Sequence, residues 1–178
     1  NLVDPQGVTI LEASRWEPDY PTTAAVSIAD ARLARERFPF NQTIHPVPVC
    51  FACGLEPDSM KVHAGPLDDG RFATDWSVPD WAIGADGTVD EAVLWAALDC
   101  TAAIFAGCEG GVRRSLTAQL AVDVLHRPEP GAQYAMVAWA GDWPHPYWDG
   151  RKRAAASAAF DETGRCIAVS RSFWIALE

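Results

Sequence analysis

The chain has 178 residues, 49% of them hydrophobic and 10% aromatic, enough for one full core and a small appendage but not for two ordinary domains. A formal net charge of -10 and an isoelectric point near 4.7 argue against nonspecific binding to nucleic acid or to an anionic membrane surface, since both need cationic surface. No apolar run of membrane-spanning length and no basic-then-apolar leader is read in the sequence, so no membrane partner is expected and the cytoplasm is the expected compartment.

In chain order, residues 8–13 read as a strand and residues 16–21 as an extended connector broken by Pro18 and Pro21. Ser27 with Asp30 can cap a short helix that Ala29, Ala31, Leu33, Ala34 and Phe38 carry to Pro39. Residues 1–47 are thus an arm leading into a main domain over residues 48–178. That domain opens on Cys50-x-x-Cys53. Five cysteines, an odd number, point to reduced thiols rather than a disulfide framework. A structural zinc wants four ligands, and no second Cys-x-x-Cys or His-x-x-x-His pair accompanies the first; Cys100, Cys108 and Cys166 are scattered, and His45 and His63 could join a site only through folding. Cys50 and Cys53 therefore read as buried structural thiols, and no metal or cofactor is expected.

Residues 60–64 and 71–78 read as two short strands around the breakers Gly65-Pro66 and Asp68-Asp69-Gly70. Next comes the most informative stretch, TVDEAVLWAALDCTAAIFAG over residues 88–107. Thr88 and Glu91 fit a capping box, and Gly107 a left-handed stop, around a helix with almost no polar face. Asp99 sits in its middle. A carboxylate taken out of water must be paired, hydrogen-bonded or shifted in pKa, so Asp99 either bonds a loop amide or faces a ligand. Asp90 and Glu91 fall in the first turn, where acidic residues complement the helix dipole; Asp90 lies nine residues from Asp99, on the opposite face and about 13 Å away along the axis. Residues 115–126 alternate Leu116, Ala118, Leu120, Val122 and Val124 with Thr117, Gln119, Ala121 and Asp123, the period of a half-buried strand. Strand-like runs follow at 133–141, 153–160 and 167–177, the last two separated by the turn Asp161-Glu162-Thr163-Gly164. One long buried helix against a curved antiparallel sheet of about six strands is an α+β architecture.

From about Pro48 onward the chain resembles the hotdog-fold thioesterase superfamily, in its branch marked by a Cys-x-x-Cys-Gly segment. The resemblance rests on Cys50-Phe51-Ala52-Cys53-Gly54, Trp95-Ala96-Ala97-Leu98-Asp99, Leu116-Thr117-Ala118-Gln119-Leu120, Arg127-Pro128-Glu129-Pro130-Gly131, Gly150-Arg151-Lys152-Arg153 and Phe173-Trp174, in that order. It implies a hotdog fold, acyl-thioester ligands such as acyl-coenzyme A, and a homodimer, or a pseudo-dimer with a second unit. The arm over 1–47 is then either a simple extension or the tail of a partial hotdog unit. Asp99 falls on the superfamily's helix acid and Thr117 on a strand threonine that assists it in some members. Many members begin this helix with His-Gly-Gly, where this chain has Asp90, Glu91 and Ala92.

The expected activity is hydrolysis of an acyl thioester, with Asp99 as general base or nucleophile, Thr117 positioning water or oxyanion, and amides around residues 88–90 replacing the missing glycine donors. Asp90 and Glu91 are further candidates for substrate contact. The basic residues Arg113, Arg114, Arg151, Lys152 and Arg153 are candidates for the phosphates of coenzyme A, against the alternative that they are solvated strand-end charges. The competing reading is a silent acyl-thioester binding module. No Gly-x-Ser-x-Gly elbow or phosphate-binding loop is present, and His126 and His145 lie among prolines without a nucleophile to serve.

Overall fold

The computed structural model describes residues 1–15, 19–20, 22–109, 114–141 and 148–177. Among these the chain forms strands β1 (Leu2–Val3) and β2 (Thr9–Leu11), helix α1 (Ile28–Arg35), strands β3 (Gly65–Pro66) and β4 (Phe72–Ser77), helix α2 (Glu91–Glu109), and strands β5 (Ser115–Val124), β6 (Gln133–Ala140), β7 (Trp148–Asp149), β8 (Lys152–Phe160) and β9 (Cys166–Ala176). β1 and β2 pair only with each other. The main sheet runs β3-β4-β6-β8-β9-β5, antiparallel throughout, with β7 paired to the start of β8. The connector at 16–18 and 21, Arg113 and His145 lie outside the described residues.

Each face of this sheet receives one helix, and the alternation of side chains decides which. Phe72 and Trp76 of β4, Tyr134, Met136 and Ala138 of β6, and Ala155 and Ala159 of β8 point to α2, where they enclose Val93, Leu94, Ala97, Leu98, Ile104 and Phe105. Their neighbours Ala73, Ala135, Val137, Ala158 and Val169 meet Val26, Ala31 and Ala34 at α1 on the other face. α1 is also pinned by charge, because Arg32 and Arg35 each reach Asp75 of β4 at 3.2 Å. Gly65 of β3 is required where α1 ends: a Cβ there would stand 1.9 Å from the Ala34 carbonyl oxygen.

Over Glu91–Cys108, α2 is long and apolar enough by length and composition to cross a membrane, contrary to the expectation that no run reaches that length. Its apolarity is accounted for here by packing: Leu94, Ala97, Leu98 and Ala102 are fully buried against the sheet. The small residues of β8 let the helix come close, and a polar thread fixes it. The Ser157 hydroxyl donates to the Leu98 carbonyl at 2.8 Å and lies 2.7 Å from the Ser170 hydroxyl. Because a carbonyl can only accept, Ser157 spends its proton there, and Ser170 must be the donor between the two hydroxyls.

Four local expectations are corrected. The N-cap of α2 is Asp90, whose carboxylate accepts from the Ala92 amide at 2.9 Å, while the Thr88 hydroxyl is taken up by Asp86 at 2.8 Å. The helix also passes through Gly107 to Glu109. Residues 60–64 bury Met60, Val62 and Ala64 in alternation but join no strand, because the amides of Met60 and Val62 bond the carbonyls of Phe51 and Ala52 at 3.0 Å each. The Gly65-Pro66 segment, expected as a breaker, is itself the short β3.

Ser157 holds the carbonyl one peptide bond from Asp99, so its loss is felt where the helix matters. Ser157→Ala is expected to lower stability by about 1–3 kcal/mol, the scale for leaving a buried hydroxyl and carbonyl short of a partner. Urea unfolding checks this, and an unchanged midpoint would contradict the role given to the thread.

Candidate active site

Asp99 and Thr117 meet, and a β-bulge brings them together. Along β5, Thr117 stands opposite Trp174 of β9 but Gln119 stands opposite Phe173, which leaves Ala118 as the extra residue. The insertion reverses the alternation. Leu120, Val122 and Val124 pair with Ser172, Ser170 and Ala168, on the face toward α2, and the bulge puts Thr117 on that same face instead of Leu116. Regular alternation would have grouped Leu116 and Ala118 with them. Leu116 is turned outward and is 60% exposed.

The Thr117 hydroxyl donates to the Asp99 carboxylate, 3.2 Å from one oxygen and 3.4 Å from the other. These are long contacts for an O–H donor, so the carboxylate retains capacity to accept from another group. Burial pushes the Asp99 carboxyl up to about 7; the Thr117 hydrogen bond works against that rise, and negative charge at Cys50 adds to it. The site opens at the edge of the sheet, since β5 is the last strand. Two open depressions of about 530 and 400 Å³ lie elsewhere on the surface, and Asp99 lines neither.

The other sequence candidates divide. Asp90 is spent as the cap of α2, and Glu91 pairs with Arg127 at 2.9 Å; both border the 400 Å³ depression at the helix start, away from Asp99. Three amides at the helix start, two of them among those expected to replace the glycine donors, are engaged within the chain. Thr88 bonds Asp86 at 3.0 Å, Asp90 bonds the Ala82 carbonyl at 2.9 Å, and Ala92 bonds Asp90. They are not aimed at an incoming oxygen in this arrangement.

The basic residues, distant in sequence, gather at one end of the sheet. Ser115 pairs with Ala176 and Lys152 with Ile175, so Arg114, Arg151 and Lys152 arrive together. Arg153 of β8, Trp174 of β9 and Thr117 of β5 form one row across neighbouring strands, which places this end beside the Asp99–Thr117 pair. Some of the cationic groups also hold backbone: Arg114 Nε donates to the Pro46 carbonyl at 2.9 Å, Arg151 Nε to that of Ala176 at 3.0 Å, and Arg153 Nη1 to that of Lys152 at 2.9 Å.

Sequence reasoning missed Cys100. It was grouped with the scattered thiols, yet its sulfur lies 3.5 Å from that of Cys50, and Cys50, Cys53 and Cys100 form one cluster beside Asp99. Its hydrogen bond with Cys100, helped by Cys53 and by the amides of Cys53 and Ala52, holds the Cys50 thiol far below its usual range; Cys100 is raised, chiefly as the partner of Cys50. The available signals were Gly54 behind the Cys-x-x-Cys pair and a cysteine placed next to the helix acid.

No protein-family model and no curated protein matches the sequence. Solved structures do match it in three dimensions. AziG of S. sahachiroi aligns with a TM-score of 0.56 at 16% identity, over 65% of this chain and 90% of AziG. A thioesterase superfamily protein aligns with a TM-score of 0.56 at 18% identity, over 66% of this chain and 57% of its own. The protein smu.793 of Streptococcus mutans UA159, solved bound to acetyl-CoA, aligns with a TM-score of 0.55 at 10% identity, over 64% of this chain and 86% of its own. The chain has the hotdog fold of these structures, one of which is a thioesterase superfamily protein.

Proposed function

We propose that this protein hydrolyses an acyl thioester, acyl-coenzyme A being the substrate class that fits best, with Asp99 as general base or nucleophile and Thr117 as its assistant. The observation that carries the reading is the carboxylate–hydroxyl pair joining the buried helix to the bulged edge strand. In the base route Asp99 takes a proton from water, whose oxygen adds to the thioester carbonyl. Collapse breaks the carbon–sulfur bond, and the thiolate recovers the proton from Asp99, giving a carboxylic acid and a free thiol. In the nucleophile route the carboxylate adds directly, the thiolate leaves, and water opens the mixed anhydride.

Support for the ligand class comes from the basic end of the sheet, where Arg114, Arg151 and Lys152 can meet phosphate groups while the acyl thioester reaches Thr117. A neighbouring fold with acetyl-CoA bound points the same way. Leu116 stays 60% exposed on the open edge strand β5, which supports closure of the site by a second copy of this chain or by a paired hotdog unit. Five free thiols suit a reducing compartment, the cytoplasm.

A second reading has its own observation. The amides of Thr88, Asp90 and Ala92 are engaged internally and so do not serve as oxyanion donors, and a silent acyl-thioester binding module would need none. Thiol release over a panel of short, long and aromatic acyl-coenzyme A esters separates the two. Hydrolysis is expected, and Asp99→Asn is expected to lower kcat by roughly 100-fold or more, with Thr117→Ala costing less because water can replace a hydroxyl. Binding without turnover would favour the silent module; turnover that Asp99→Asn leaves intact would displace Asp99 from the chemistry.

The basic end gives a separate expectation. Arg151→Glu with Lys152→Glu should weaken coenzyme A binding severalfold by calorimetry, and more at low salt than at high salt. Unchanged affinity at low salt would remove these residues from the ligand site.

A further inference from the structure

Cys50 and Cys53 sit in a tight turn ahead of the sheet, and Cys100 comes from α2, fifty residues away in sequence. Their three sulfurs all lie within 4.8 Å of one another, with Cys50 and Cys100 at 3.5 Å. Four thiolates around zinc at about 2.3 Å stand at tetrahedral corners roughly 3.8 Å apart, so these sulfurs already mark three corners of such a site.

The turn is built to hold its thiols in place. The Gly54 amide bonds the Cys50 carbonyl at 2.9 Å, and a Cβ on Gly54 would stand 2.2 Å from that same oxygen, so only glycine closes the loop. Two histidines buttress it from behind. His45 accepts from the Val47 amide on Nδ1 at 3.0 Å, which leaves Nε2–H to donate to the Cys53 carbonyl at 2.9 Å. His63, stacked on Phe38 at 4.2 Å, reaches the Gly54 carbonyl with Nε2 at 3.2 Å. Both rings are thereby committed to backbone, and no fourth His, Cys, Asp or Glu donor joins the cluster among the described residues.

We propose that Cys50, Cys53 and Cys100 bind a zinc ion through three thiolates, with water in the fourth position. Cys53 and Cys100 are buried and Cys50 is partly exposed, so the metal enters past Cys50. Bound there, it clamps the turn to α2 at the residue next to Asp99 and fixes that part of the helix. The site is independent of the proposed hydrolysis, and its test needs no substrate.

Metal analysis of the purified chain, produced under reducing conditions with zinc supplied, is expected to find about one zinc per chain. Cys100→Ser is expected to retain almost none while keeping its far-ultraviolet circular dichroism. Should that variant fail to fold, cobalt titration of the metal-stripped wild type decides: thiolate-to-cobalt charge-transfer bands and the strong visible bands of a tetrahedral ion, both abolished by added zinc, support the site. A metal-free wild type with no cobalt spectrum overturns the proposal, as does full zinc retention in Cys100→Ser. A Cys50–Cys100 disulfide found by thiol counting in fresh, reductant-prepared protein would also overturn it, assigning the cluster to redox chemistry instead.

Discussion

The structure depends on burying one helix. α2 has so little polar surface that most of it is withdrawn from water, and the sheet supplies a matching face of alanine, serine and aromatic side chains on β4, β6, β8 and β9. Small residues at Ala155, Ser157 and Ala159 set how near the helix comes, and the Ser157–Leu98 hydrogen bond sets where along its axis it stops. Asp99 inherits its position from this packing. The carboxylate emerges half-buried beside the last strand of the sheet.

That strand would present the wrong residue without its bulge. A single extra residue at Ala118 exchanges the faces of Leu116 and Thr117, turning a leucine outward and a hydroxyl toward the acid. The exchange exposes a large apolar side chain at a sheet edge, a stability and aggregation liability that a second subunit or hotdog unit would cover. The same local register that completes the acid–hydroxyl pair therefore also leaves Leu116 exposed at the sheet edge.

Much of this was readable in the sequence, and the gaps have physical reasons. The long helix and β6, β8 and β9 follow from apolar periodicity and turn residues, and Asp99 stood out because charge inside an apolar helix is expensive. The helix start was misassigned because Thr88 and Asp90 both suit a cap, and only the loop geometry shows that Asp86 has already engaged Thr88. Met60, Val62 and Ala64 alternate as a strand does, but strand pairing is a property of the neighbour, and here the neighbour is the cysteine turn. The bulge has no signature in Leu116-Thr117-Ala118-Gln119-Leu120. The place of Cys100 beside Cys50 was missed for a different reason, since their contact spans fifty residues and exists only after the helix has packed.

The central claim is geometric: a thioester carbonyl binds between the helix acid and the bulged strand. Its most direct test is a crystal structure with a non-hydrolysable acyl-coenzyme A analogue. The account predicts the analogue's carbonyl, or a water beside it, within hydrogen-bond distance of Asp99 and Thr117, and the nucleotide end toward Arg151 and Lys152. An analogue seated instead in the depression at the start of α2, with Asp99 and Thr117 facing no part of it, would contradict the account.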